Sequence, residues 1–353
     1  MSAVEWLDAM SPWPRDGFGL DRMRALLARL GDPQLAYPAI HVVGTNGKST
    51  ATVTIEQLLL SEGLSVGSTI SPHVLDWSER IRLDGKSADF EEAVARVRPA
   101  AEQLDGTQFE TVTAAALAAF ADASVDVAVV EAGLGGRHDA TNVLRTQIVL
   151  LTNVGLEHTD VLGDTPEAIA TEKLAVAPDG AVVVLPDDTF APLVPVRELR
   201  FGGAREAAEA FVGHAIAADP VVALPGRFER RGGEIRDGAH NPDGARHLVE
   251  QLDRDDYTVV ASILRDKDVD AIVATLRRAG HRFVATTSSS PRALAADELA
   301  GRARAHFEHV EVVEDPVAAL ARAHELGEPV LVTGSLYLLG DLAQAEQRSA
   351  WRA

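Results

Sequence analysis

The stretch His41-Val42-Val43-Gly44-Thr45-Asn46-Gly47-Lys48-Ser49-Thr50 decides the fold. Upstream, Pro38-Ala39-Ile40 joins Val42 and Val43 in a short apolar run rich in β-branched residues, which predicts a buried strand. Downstream, residues 51–60 carry apolar side chains at helical spacing. Strand, glycine turn and helix in that order aim backbone N–H groups and a helix N-terminus at one point, and such a point binds phosphate. Lys48 adds a mobile cation for the outer phosphates, and Ser49 or Thr50 adds a hydroxyl for a magnesium ion. The stretch reads G-x-x-G-K-S and not the full G-x-x-x-x-G-K-[ST], because Val42 stands where the first glycine would be. Its flanking strand and helix are what separate a phosphate loop from a plain turn.

Outward from this loop, strands and helices alternate. Residues 20–30 place Leu20, Met23, Leu26, Leu27 and Leu30 on one helical face, and Gly31-Asp32-Pro33 stops the helix. Residues 64–70 read as a strand leading into Ser71-Pro72-His73, and residues 77–85 as a short alternating stretch closed by a turn. Residues 89–104 predict an amphipathic helix, and the alanine-rich residues 109–121, apolar nearly all round, a buried one. Residues 125–130 form an apolar strand ending at Glu131 and the turn Ala132-Gly133-Leu134-Gly135-Gly136-Arg137, and residues 148–151 another ending at Thr152-Asn153. A helix over 165–176 has Thr165 as N-cap and Pro166 at its first position, and residues 181–185 read as a strand. Strands that are nearly all apolar, alternating with helices, predict a parallel sheet covered on both faces.

Residues 186–225 are less regular and hold five of the chain's 17 prolines, which places a domain boundary near their end. Beyond it, residues 227–231 and 234–237 flank Gly232-Gly233 as a hairpin. Strands at 258–263, 283–286, 310–313 and 330–332 then alternate with helices near 241–253, 268–278, 296–306 and 316–326. The predicted fold is α/β: a P-loop, doubly wound parallel-sheet ATPase domain over residues 1–224, then a smaller Rossmann-like α/β domain over 225–353.

Bulk composition narrows the function. A length of 353 residues suits about two domains. The absence of cysteine excludes disulfides and thiolate metal sites. No stretch approaches the length of a membrane span, so a cytoplasmic protein without a membrane partner is expected. The net charge of −20 argues against nucleic acid as a partner. It leaves anionic small molecules open, because local charge can oppose the global field. Many of the scarce cations fall within the motifs: Lys48, Arg80, Arg82, Arg137, Lys173, Arg227, Arg265 and Lys267.

In open α/β sheets ligands sit outside the carboxyl ends of the strands. Four such ends carry polar groups here: the phosphate loop, Ser71, Glu131 and the segment 153–158. Glu131 is placed either as a carboxylate that holds Mg²⁺ beside the β- and γ-phosphates or as a residue that merely caps its loop. By pattern alone, His158 reads as an ordinary surface or core histidine and Lys173 as a solvated helix lysine.

Seven segments, in order and spanning nearly the whole chain, resemble the motifs of the folylpolyglutamate synthase/dihydrofolate synthase family of the Mur ligase superfamily. They are Gly44 to Lys48, Ser71-Pro72-His73, Glu131-Ala132-Gly133-Leu134-Gly135-Gly136-Arg137-His138-Asp139-Ala140-Thr141-Asn142, His158-Thr159-Asp160-Val161-Leu162-Gly163, Glu172-Lys173, Leu224-Pro225-Gly226-Arg227-Phe228 and Asp237-Gly238-Ala239-His240-Asn241-Pro242. The twelve-residue glycine motif and D-x-A-H-N-P are the most specific. The resemblance implies an ATP-dependent ligase that joins L-glutamate to a dihydropteroate or folate carboxylate, acting as a monomer on small molecules. It assigns Gly44, Thr45, Asn46, Gly47, Lys48, Ser49 and Thr50 to ATP, together with Arg227, Asp237 and His240 from the second domain. It implies two Mg²⁺ sites, with Ser71 and Glu131 at the first and His158 at the second, and a Lys173 carbamylated into an anionic metal ligand. Ser71, Pro72, His73, Phe109, Glu110, His138, Asp139 and Ala140 would line the acceptor site, and Lys48, Lys173, His158 and Glu131 would carry the chemistry.

That chemistry is consistent with the residues. A carboxylate is inert to an amine at neutral pH until phosphorylation makes an acyl phosphate with a good leaving group. Such a transfer is mostly charge neutralisation. Two departures from the family pattern stand out: Ser49 follows Lys48 directly where a further glycine is usual, and Ala204-Arg205-Glu206-Ala207-Ala208 occupies the region where the family has an asparagine near the adenine. Two rivals are another Mur-type amide ligase acting on a different acid and a non-catalytic nucleotide-dependent switch. Ser71-Pro72-His73 and the glycine motif favour the folate branch over the first, and paired metal candidates at Glu131 and His158 favour turnover over the second.

Overall fold

Apolar runs such as Ala39–Val43 and Val127–Glu131 have every residue buried, as strands covered on both faces must. In the computed structural model, which describes residues 1–14, 17–194 and 198–350, they lie side by side at the centre of an eight-stranded sheet. The chain divides into two compact units, Met1–Val222 and Ala223–Ala353.

The first unit runs α1 (Ala3–Asp8), α2 (Asp21–Arg29), β1 (Ala39–Val43), α3 (Lys48–Ser61), β2 (Val66–Thr69), β3 (Arg82–Leu83), β4 (Lys86–Ser87), α4 (Phe90–Gln103) and α5 (Gln108–Asp122). It continues with β5 (Val127–Glu131), β6 (Thr146–Leu151), α6 (Thr159–Leu162), α7 (Pro166–Leu174), β7 (Val182–Leu185), β8 (Glu198–Phe201) and α8 (Ala204–Val212). The strand order is β4-β3-β2-β5-β1-β6-β7-β8, parallel except for the β3 and β4 edge. From β1 the chain first builds towards β2, returns to β5, then crosses to β6 and beyond. The crevice where the winding reverses therefore opens at the carboxyl ends of β5, β1 and β6, and the ends there are Glu131, Gly44 and Thr152.

Helices cover both faces. α5 is buried over most of its length, as its all-round apolarity predicts, and packs with α4 in one core. α3 and α8 share the opposite core. The region 186–225 is more ordered than its proline content suggests. Between its prolines it holds β8, which extends the parallel sheet, and α8, whose Ala207 and Ala208 are fully buried. Residues 77–80 form a 3₁₀ turn and not a strand, because Asp76 and Glu79 make a capping box that closes it.

The second unit contains β9 (Glu229–Arg231), β10 (Glu234–Arg236), α9 (Pro242–Gln251), β11 (Thr258–Ala261), α10 (Val269–Leu276), β12 (Arg282–Ala285), α11 (Ala296–Ala303), β13 (His309–Val312), α12 (Pro316–Leu326), β14 (Val330–Thr333) and α13 (Leu336–Ala350). Its sheet order is β13-β12-β11-β14-β10-β9, with β9 and β10 as the antiparallel hairpin about Gly232-Gly233. It has its own core, centred on Val259, Ile272, Phe283 and Leu331. No helix among the described residues is long and apolar enough to cross a membrane.

Candidate active site

The phosphate loop is shaped by two positive-φ glycines. Gly44 has φ of +148°, and a Cβ there would lie 1.9 Å from the Thr152 hydroxyl oxygen, so no other residue fits. Gly47, at φ of +79°, is the N-cap of α3 and offers no side chain to cap it. The first N–H groups of α3, at Lys48, Ser49 and Thr50, thus face forward without an intrahelical acceptor. The loop is latched from β6: Thr45 N and Asn46 N donate to Asn153 Oδ1 at 3.2 and 2.8 Å, and Thr152 Oγ1 donates to Asn46 O at 2.7 Å. Lys48 folds its ammonium onto Thr45 O at 3.2 Å, a weak internal bond that an anion can replace.

The glycine motif after β5 packs backbone to backbone on α7. A Cβ on Gly136 would lie 2.5 Å from Glu172 O and 2.6 Å from Lys173 O, and Arg137 N donates to Glu172 O at 3.1 Å. This contact seats Lys173, only 5% exposed, so that its Nζ donates to Gly44 O at 2.8 Å. Burial, helped by the nearby Lys48 charge, brings the Lys173 pKa down to about 7, against the opposing pull of Glu157, Asp139 and Glu172. Lys173 is therefore no solvated helix lysine. It is built into the floor of the phosphate loop.

Glu131, at the end of β5, is 3% exposed and accepts a hydrogen bond from Ser71 N at 3.0 Å. The two candidate ligands of the first metal are thus brought together. The Ser71-Pro72 peptide is cis. The segment beyond it is held by Glu79, which accepts from the N–H groups of Val74, Leu75 and Asp76. His73 packs on Trp77 with ring centroids 4.5 Å apart and accepts from Arg80 Nε at 2.9 Å. Burial, then the Arg80 charge, lowers its pKa to about 4, so it is neutral.

His158 takes a left-handed conformation at the N-terminus of α6, with its side chain exposed and 3.8 Å from Glu157. Among the described residues, no three His, Asp or Glu side chains are gathered into a cage for a metal. Mg²⁺ needs none, since it is held through one or two carboxylates with water and substrate phosphate making up the rest. The hard oxygen of Glu131 at the mouth of a phosphate loop fits that requirement.

The acceptor candidates divide. Phe109 lies under the glycine motif, where a Cβ on Gly133 would come 2.5 Å from its ring. His138 is exposed, and Ala140 is 7% exposed. The carboxylates of Glu110 and Asp139 have roles in the fold that the sequence reading did not assign. Glu110 closes the capping box of α5 with Thr107 and pairs with Arg22 Nε at 2.8 Å. Asp139 accepts from Leu134 N at 2.7 Å and Thr141 N at 3.0 Å, and from the Thr141 hydroxyl.

In the second unit, Arg227, Asp237 and His240 gather about one turn at the carboxyl end of β10. Asp237 accepts from Phe228 N at 2.7 Å and Ala239 N at 2.8 Å, and His240 bonds Gly238 O at 2.8 Å. Burial raises the Asp237 pKa against those bonds. Asn241 caps α9 through Gly244 N. The sequence reading had not singled out Asn153 as the latch of the phosphate loop or Glu79 as the holder of the segment after Ser71. A carboxamide at the end of the strand next to the loop is the signal for the first.

Comparison with known proteins places this geometry. The Mur ligase middle domain matches residues 42–197, and the Mur ligase, glutamate ligase domain matches residues 226–336. The dihydrofolate synthase/folylpolyglutamate synthase of Mycobacterium tuberculosis is 34% identical over 85% of this chain and 80% of its own length. The folylpolyglutamate synthase of the same organism, complexed with ADP and AMPPCP, superposes with a TM-score of 0.86 at 30% identity, covering 97% of both chains. The bifunctional synthase of Yersinia pestis with Mn, AMPPNP and L-glutamate bound gives 0.84 at 28% identity, covering 98% of both.

Proposed function

The chain belongs to the folylpolyglutamate synthase/dihydrofolate synthase family of Mur ligases, and from that membership we propose how its residues act. It is an ATP-dependent ligase that joins L-glutamate to a folate-type carboxylate. The observation that carries the residue assignment is the convergence of the Gly44 loop, Glu131 and Lys173 at the carboxyl ends of β1 and β5.

Loop amides at the start of α3 bind the phosphates of ATP, and Lys48 swings from Thr45 O to the outer phosphates. Glu131 and Ser71 would hold one Mg²⁺ and His158 would help hold a second, and such ions would supply positive charge against that developing on the γ-phosphoryl group. The acceptor carboxylate attacks the γ-phosphorus in line, the bond to the β-phosphate oxygen breaks and ADP leaves. The α-amine of glutamate then attacks the acyl carbon, loses a proton and expels phosphate. Each step needs water excluded, and the segment after β2 brings His73 and Trp77 while α5 brings Phe109, packed under the glycine motif.

We also infer that Lys173 works as a carbamate. A buried amine with a pKa near 7 has a neutral, nucleophilic fraction at neutral pH. Once the ammonium has lost its proton, the neutral amine adds to CO₂ and releases a second one, and the carbamate would offer Mg²⁺ an oxygen ligand where a cation would repel it. Lys173→Ala should then lose most of its turnover and regain part of it with added acetate. Undiminished turnover of Lys173→Ala in bicarbonate-free buffer would falsify this role.

The function is tested by ADP release with dihydropteroate or a reduced folate, each with and without L-glutamate, and by mass spectrometry of the products. ADP release that needs both partners, with a product heavier by one glutamyl residue, is expected. ATP hydrolysis indifferent to acceptor and glutamate would favour a switch protein instead.

A further inference from the structure

We propose that His41 is a positioning residue for this reaction: through Thr141 and Asp139 it holds the glycine turn that seats Lys173 under the phosphate loop. The inference rests on the ligase reading above for its kinetic consequence and on geometry alone for the connection itself.

His41 lies in the middle of β1 with no exposed surface, so it touches no ligand. Its ring Nε2 is 2.8 Å from the hydroxyl oxygen of Thr141, a residue 100 positions away and itself 1% exposed. That hydroxyl donates its one proton to Asp139 Oδ1. The bond between His41 and Thr141 must then be made by a ring proton, which puts the neutral imidazole in its Nε2–H form. Nδ1 is left as a buried acceptor with no hydrogen-bond partner among the described residues. An aliphatic side chain at this site would avoid that cost. The imidazole carries it because one end of the ring has a polar task.

The task can be followed residue by residue. Asp139 gathers the N–H groups of Leu134 and Thr141, and its own N–H donates to Gly136 O at 3.1 Å. Gly136 presses on the carbonyls of Glu172 and Lys173, and Lys173 Nζ returns to Gly44 O at 2.8 Å. Gly44 follows His41 by three residues in the same strand and turn. The path therefore closes a ring that starts and ends in β1 and ties the glycine turn, α7 and the phosphate loop into one body. Loss of the His41 to Thr141 bond removes the side-chain tie between β1 and the far end of the turn, whose near end is held where Ala132 N donates to Val42 O at 2.9 Å, and lets Lys173 drift from the loop.

Four variants test this: His41→Leu and Thr141→Val, which delete the bond with little change of volume, and His41→Gln and Thr141→Ser, which keep a donor or a hydroxyl. Glutamate-dependent ADP release should fall about tenfold to a hundredfold in kcat for the first pair, as for misplacement of order an ångström. The KM for ATP should stay within about threefold. His41→Gln and Thr141→Ser should keep kcat within about fivefold. The double variant His41→Leu/Thr141→Val should be no slower than the slower single one. Hydrogen exchange gives a second readout that needs no turnover: the amides of Leu134 and Thr141 should exchange faster in the deleting pair only, with those of α3 unchanged. Wild-type kcat in Thr141→Val, or a His41→Gln as slow as His41→Leu, would overturn the proposal, the latter because it reduces the ring to packing. Should His41→Leu not fold, Thr141→Val decides. Should the wild type release no ADP on glutamate addition, the ligase reading fails, while unaltered exchange at Leu134 and Thr141 would still overturn the connection.

Discussion

Lys48 shows how little of the fold a residue proposed to bind phosphate can own. Among the described residues its ammonium makes one hydrogen bond, to Thr45 O at 3.2 Å, and that bond spans only the turn it belongs to. Lys48→Ala should therefore leave the unfolding free energy within about 0.5 kcal/mol while lowering kcat/KM for ATP about a thousandfold. Denaturation and steady-state kinetics on the same preparation check both halves, and wild-type turnover would remove the loop from the mechanism. His41 behaves in the opposite way. Burial holds its pKa down at about 3, whereas the unfolded chain protonates it below about 6.5. Between those values the unfolded state binds the extra proton, so the residue's contribution is whole above about pH 6.5 and is lost as pH falls towards 3. At pH 5 the loss is on the order of 2 kcal/mol. Asp139, raised by burial, has the contrary sign and loses its contribution as pH rises. Comparing wild type with His41→Gln isolates the imidazole. The stability gap between them, measured by urea unfolding, should narrow by about 2 kcal/mol from pH 7 to pH 5. A gap independent of pH would mean that the folded protein protonates the ring as readily as the unfolded chain does.

Among the elements, the glycine motif and α7 act as one part, because a side chain at Gly136 would enter the backbone of its neighbour. The clash is with carbonyl oxygens at 2.5 and 2.6 Å and with Lys173 Cα at 2.8 Å, none of which can rotate away. Gly136→Ala should cost about 1–3 kcal/mol and reduce kcat more than tenfold by shifting Lys173. Gly301 is the matched control. It lies in α11, exposed, with nothing within 4 Å of the place its Cβ would take. Gly301→Ala should raise stability by about 0.5–1 kcal/mol and leave kinetics alone. Thermal melts and turnover of the two variants form one experiment, and equal effects would mean that the packing of Gly136 does not matter. The same logic explains why Glu110 and Asp139 stand apart from the other carboxylates. Each is spent on a cap or a turn, and the turns in question carry Phe109 and the glycine motif.

At the scale of the molecule, two units each own a core, and the chain between them is most exposed near Val221, beyond the bonds by which Arg205 holds Ile216 O, Ala218 O and Asp219. Residues 213–223 form no helix or strand, and Val221 is 97% exposed. Limited thermolysin digestion should cut there first, giving fragments that correspond to Met1–Val222 and Ala223–Ala353. Primary cleavage inside α8 or β8 would show that the first unit ends earlier. The net charge of −20 sits on a surface whose carboxylates are mostly solvated, while Lys48 supplies local positive charge at the crevice. Anionic substrates are therefore drawn by the site and not by the molecule as a whole.

The sequence by itself determined the alternation of buried strands and helices, the hairpin at Gly232-Gly233, the phosphate loop and the family motifs. Each is a local matter: periodicity follows from which faces are covered, and a backbone that must meet phosphate closely admits glycine and little else. Local pattern misled at residues 186–225, where proline density hid β8 and α8, because a proline between elements looks the same in sequence as a proline that prevents them. Pattern could not lift Lys173 above an ordinary lysine. Its burial, its lowered pKa and its bond to Gly44 O arise from Gly136 meeting α7, a contact created only when β5, β1 and β6 stand in that order. Tertiary structure alone also decided that Asn153 latches the loop and that His41 reaches Thr141, since groups 100 or more residues apart in sequence meet only when β6 and the turn before it are laid beside β1.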